Sequence, residues 1–88
     1  MASEEIIHTC KHYIDMNYID ECKIFIQDLS PSEDWTYVFQ KVYLHACLKG
    51  RKQLAEWLEK DVYPLLEPIQ QIALRQIFPY GHHLLSRA

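Results

Sequence analysis

The residues able to do chemistry are few, and their spacing is the first thing to weigh. His8 and His12 stand four apart, which on a helix sets two imidazoles on one face, and zinc accepts both imidazole nitrogen and cysteine sulfur. Cys10 between them points about 200° away at roughly 100° per residue, so it cannot complete that site from the same helix. Further ligands would have to come from Cys22, His45, Cys47, His82 or His83, and there is no C-x-x-C pair. The reading is therefore core cysteines and surface histidines, with no metal and no cofactor. Cys47 and His45 fail as a nucleophile and base for the same reason: two residues apart on a helix, they diverge and cannot share a proton. The acid pairs Glu4-Glu5, Asp20-Glu21 and Glu33-Asp34 each fall in the first turn of an expected helix, where the positive end of the helix dipole explains them without acid–base work. Two isolated glycines cannot form a phosphate-cradling loop. The sequence carries no catalytic residue set, and a non-enzymatic protein is expected.

Binding chemistry is better represented. Residues 68–88 contain no acid and carry Arg75, His82, His83 and Arg87, interleaved with Phe78 and Tyr80, which reads as a solvated tail or as a mixture suited to an acidic protein surface or to phosphates. The net charge of −3 and the two arginines argue against nucleic acid, which stands as the alternative partner. Charge is unevenly placed: residues 1–34 hold eight acids and two bases, and residues 35–88 hold four acids and seven bases. That asymmetry reads as a solvated acidic face at one end, or as a surface for docking on a basic partner or for head-to-tail self-association. Six tyrosines and two tryptophans are hard to bury in so small a domain, and tyrosine and tryptophan are enriched at interfaces. Trp35, Tyr37, Trp57, Tyr63 and Tyr80 are the candidate interaction residues, for another protein or for a second copy of the chain.

These groups need a scaffold, and the chain of 88 residues has room for one core, a single domain over residues 1–88. Apolar residues recur at helical spacing and nowhere alternate with period two, so the fold class expected is all-α, a bundle of four to five helices. Ile7, Cys10 and Ile14 stripe a first helix from Ser3; Asp15-Met16-Asn17 breaks it, with Asn17 expected to cap a second helix carrying Ile19, Cys22, Phe25, Ile26 and Leu29. Ser30-Pro31-Ser32-Glu33 has the form of a capping box, opening a long central helix striped by Trp35, Val38, Phe39, Val42 and Ala46. Gly50 closes that helix in the left-handed conformation. A fourth helix, about residues 52–61, turns Leu54, Trp57 and Leu58 inward, with Glu56 and Lys60 as an exposed pair. Pro64 ends it, Pro68 opens a fifth helix carrying Ile69, Ile72, Ala73 and Ile77, and Pro79-Tyr80-Gly81 reads as a turn before a loose end. No signal peptide or membrane span is expected, since apolar runs reach only two or three residues. Three cysteines without framework spacing fit reduced thiols in the cytoplasm or nucleus.

Residues 43–58, Tyr-Leu-His-Ala-Cys-Leu-Lys-Gly-Arg-Lys-Gln-Leu-Ala-Glu-Trp-Leu, resemble the core of an ankyrin-type repeat of the degenerate kind found in proteins of large DNA viruses. The likeness rests on the small pair Ala46-Cys47, on Gly50 between the helices, and on Leu54-Ala55 with Trp57-Leu58 in the second helix. It implies helical hairpins stacked side by side and a role in protein binding, in host cytoplasm or a virion should the chain be viral. An irregular bundle with one such hairpin and a short ankyrin-like stack both satisfy the pattern.

Overall fold

Two turns of one construction organise the first half of the chain. In the computed structural model, which describes residues 2–29 and 34–87, helix α1 (Ser3–Asp15) and helix α2 (Ile19–Gln27) are joined through Asn17 at φ 61°. Helix α3 (Trp35–Leu48) and helix α4 (Lys52–Trp57) are joined through Gly50 at φ 73°. In the first, Asn17 N donates to Ile14 O at 3.1 Å and Tyr18 N to Tyr13 O at 2.8 Å; in the second, Gly50 N donates to Cys47 O at 3.1 Å and Arg51 N to Ala46 O at 2.8 Å. Such bonds satisfy the last carbonyls of a helix through a left-handed residue, a conformation that glycine enters freely and asparagine more readily than most. Asn17 thus closes α1 and does not cap α2, as the sequence reading had it; Tyr18 holds that position without a side-chain bond.

The two hairpins are tied where they meet. Arg51 Nε donates to Ile14 O at 3.0 Å, supplying a cation and a donor to the negative end of α1. His45 Nε2 donates to Asp15 Oδ1 at 2.7 Å, and Lys49 Nζ lies 3.9 Å from the same oxygen. The hydrogen bond from His45, with Lys49 and His12 adding charge, holds the Asp15 carboxyl below its usual range. A carboxylate so depressed contributes stability above its unfolded-state value of about 3.9, and the contribution is lost as pH falls through the lower folded-state value. Asp15→Asn is therefore expected to lower the melting temperature near neutrality and to flatten its decline below about pH 4, measured by thermal melts across pH.

Helix α3 is central, as its apolar girth implies. Trp35, Val38, Phe39, Val42, Tyr43, Ala46 and Cys47 are all buried, and the helix packs against α1, α4, α5 and α6. The expected stripes of α1 and α2 are buried at Ile7, Cys10, Ile14, Cys22 and Ile26. The capping-box residues Ser30 to Glu33 lie outside the described residues. Past Trp57 the chain tightens irregularly, through a π-helical turn (Leu58–Val62) and a 3-10 turn (Tyr63–Leu65) that holds Pro64. Among the described residues no ion pair joins Glu56 and Lys60.

The C-terminal region differs most from expectation. Helix α5 (Pro68–Leu74) is short, the chain turns at Arg75-Gln76, and helix α6 (Ile77–Ser86) runs through Pro79-Tyr80-Gly81. Pro79 is the third residue of α6, where an amide hydrogen has no intrahelical acceptor, so proline is tolerated and the segment is helix where a turn was expected. The helices among the described residues number six rather than four to five. Gly81 is buried against the Tyr43 ring, and α6 lies on α3. Phe78 meets Tyr43 edge-on at 5.2 Å and Tyr63 at 4.9 Å, while Phe39 stacks on Tyr43 at 5.8 Å.

One polar atom in this cluster is unsatisfied. Tyr43 Oη is buried and has no hydrogen-bond partner among the described residues. Burial, with Cys47 and Glu59 nearby, pushes its hydroxyl well above the usual range. An unpaired buried hydroxyl costs about 1–3 kcal/mol, so Tyr43→Phe, which keeps the ring and drops the oxygen, is expected to stabilise the fold by about 1 kcal/mol in urea unfolding.

Candidate interaction surface

The surface that stands out is made by a corner turned the unusual way round. Gln71 points inward: its Nε2 donates to Leu66 O at 3.0 Å and to Tyr63 O and Pro64 O at 3.3 Å each, and Tyr63 Oη returns a bond to Gln71 O at 2.8 Å. Glu67 and Gln70 form a reciprocal capping box at the start of α5, with Glu67 N donating to Gln70 Oε1 at 3.1 Å. With Gln71 locked to the chain behind it, helical geometry leaves Leu74 as the buried anchor of α5 and sends Ile69 and Ile72 outward. Leu65, Ile69 and Ile72 are 83%, 77% and 64% exposed, and Ala73 lies beside them. An amphipathic helix docked on its own core would face the other way.

Beside this ridge runs a groove of about 410 Å³ floored by Ile26, Leu29, Trp35, Trp57 and Leu66, with Asp61 and Glu67 at its edge. Trp57 is half-buried, and Lys23 Nζ sits 5.8 Å from its ring centroid, within cation–π range. Of the five aromatic candidates, the fold brings Trp35 and Trp57 to this one groove. Trp35 is buried, and Tyr63 is half-buried and holds the corner through Gln71. Tyr37 and Tyr80 lie elsewhere, 42% and 57% exposed; the Tyr37 hydroxyl donates to Glu4 Oε1 at 2.8 Å and its ring carries Lys41 at 5.7 Å. Leu65, Ile69 and Ile72 were not singled out from the sequence as surface residues. The spacing of Ile69, Ile72 and Ala73 marks one apolar face on α5, but nothing in it says whether that face is turned inward or outward.

The charged and nucleophilic groups that the sequence singles out are spread over several helices among the described residues. His8 and His12 are exposed on α1, and no three His, Cys, Asp or Glu side chains converge as metal ligands among the described residues. Cys10, Cys22 and Cys47 are free thiols, all buried. The neighbouring Cys22 thiol, together with burial, raises the Cys10 thiol far above its usual range. Burial pushes Cys47 up to about 11, opposite to the direction that activates a nucleophile. His82 Nε2 donates to Glu59 Oε1 at 2.8 Å, so one of the four expected basic contacts already faces a carboxylate. Arg75 stands just past the end of α5, His83 is exposed on α6 and Arg87 is exposed just past its end.

Fold and surface together define a small all-α protein of helical hairpins, with an outward-facing aliphatic ridge. No helix among the described residues is long and apolar enough to cross a membrane. Comparison with protein-family models, with curated proteins and with solved structures returned no match.

Proposed function

We propose that this protein is a non-enzymatic interaction or assembly module that binds another protein, or a second copy of itself, through the α5 ridge and the adjoining Trp57 groove. The observation that carries the reading is the orientation of α5, which turns Ile69 and Ile72 to solvent while a glutamine faces inward. Exposed aliphatics scattered singly need no explanation, but three on one edge beside an aromatic-floored groove make the contiguous patch that marks interaction surfaces. The likeness of residues 43–58 to ankyrin-type hairpins supports the same class of function.

The test is site-specific photo-crosslinking in cells that express the chain. A photoreactive residue at position 69 is expected to give discrete adducts, and the same residue at exposed Gln53 is expected to give none. Equal labelling at the two positions, or no adduct at 69, would overturn the reading.

A further inference from the structure

We propose that the groove beside the ridge takes a basic amphipathic helix of another protein. The inference rests on the reading of this face as an interaction surface and adds the chemistry of the partner. Its warrant is that three sources of negative potential meet at one apolar groove. Asp61 and Glu67 both line it, and neither has an ion-pair partner among the described residues. The Glu67 carboxylate accepts the backbone amide of Gln70 as a cap of α5, which leaves its charge in place. The third source is α2, which lines the groove with Ile26 and Gln27 of its last turn, where the helix dipole is negative and no basic residue offsets it. Asp28 follows at that end, exposed. No Lys or Arg lines the groove among the described residues, and Lys23 close by is seated over the Trp57 ring. An occupant must therefore bring an apolar stripe for the floor and cations beside that stripe for the carboxylates. A helix meets both needs, since its backbone groups are bonded within itself; an extended segment would need a sheet edge, and no strand is present among the described residues.

Both tryptophans of the chain line this groove, so their fluorescence reports its occupancy. The probe is a synthetic helix of about 16 residues without aromatic side chains, leucines along one face and lysines on its flanks. Its counterpart carries glutamates in place of the lysines. On the full chain the basic probe is expected to shift the tryptophan emission with a dissociation constant of about 1–100 μM, and the acidic probe to leave it unchanged. Asp61→Lys should weaken the basic probe about tenfold, while Glu5→Lys, the same change of net charge at an exposed position of α1 that does not line the groove, should leave affinity within about twofold. Leu65→Gln, which takes an exposed apolar side chain from the groove without changing charge, should weaken the basic probe about threefold. Glu67 is left in place because it caps α5, and far-ultraviolet circular dichroism with the urea midpoint confirms that each variant is folded. Equal binding of the two probes, no emission change with the basic probe up to about 1 mM, or equal losses in Asp61→Lys and Glu5→Lys would overturn the proposal. Adducts at position 69 that persist in any of those cases would leave the interaction surface standing and assign it a partner of other chemistry, a second copy of the chain included.

Discussion

Gly81→Ala is expected to destabilise the protein by about 2 kcal/mol and to loosen α6 from α3, although alanine is the better helix former. A Cβ at position 81 would lie 2.8 Å from Tyr43 Oη and 2.9 Å from Cζ, and nearer still to Cε2. The ring cannot step aside: Phe39 stacks on it, Phe78 packs edge-on against it, and it has no exposed surface. The roughly 1 kcal/mol gained from replacing glycine inside a helix is outweighed by overpacking of about 1–3 kcal/mol or more. In a chain of this length each kcal/mol moves the melting temperature by about 4–8 °C, so a fall near 10 °C is expected by calorimetry. Tyr43→Leu removes the obstructing atoms, and the pair Gly81→Ala with Tyr43→Leu should cost less than the sum of the two single changes. Additive costs would show that the close approach of α6 does not depend on Gly81.

That contact also marks the limit of what the sequence discloses. The α3 stripe was legible because a helix buried on most sides repeats apolar residues at 3.6-residue spacing, and Gly50 was legible because left-handed closure selects glycine. Asn17 performs the same closure, but asparagine is also a good N-cap, and local chemistry alone does not separate the two roles. Pro79-Tyr80-Gly81 contains two residues that punctuate chains, yet both are accommodated: the proline in a first turn, the glycine under an aromatic ring. The outward face of α5 depends on Gln71 finding three carbonyls in a corner of irregular winding. Which face of a seven-residue helix is buried is decided by that tertiary contact and not by its composition.

Phe39→Ala and Ile72→Ala remove apolar side chains from two helices of one small protein, and opposite outcomes are expected. Phe39 is 1% exposed and touches Tyr43, Tyr63 and Phe78, so its truncation leaves a cavity among rings that hold one another in place. Such a change costs about 3–5 kcal/mol, against a total of about 4–13 kcal/mol for a domain of this size, and should leave a chain partly unfolded at 37 °C. Ile72 is 64% exposed, its methyls already face water, and alanine has the higher helix propensity, so unfolding free energy should change by less than about 0.5 kcal/mol. Urea titrations of the two variants at a concentration where the chain is monomeric would measure this directly. A large loss at Ile72 would mean that the α5 ridge is part of the fold's own core, and the case for an interaction surface would fall with it. A negligible loss leaves an isoleucine whose side chain the monomer does not use, the outcome that the proposed interaction surface requires.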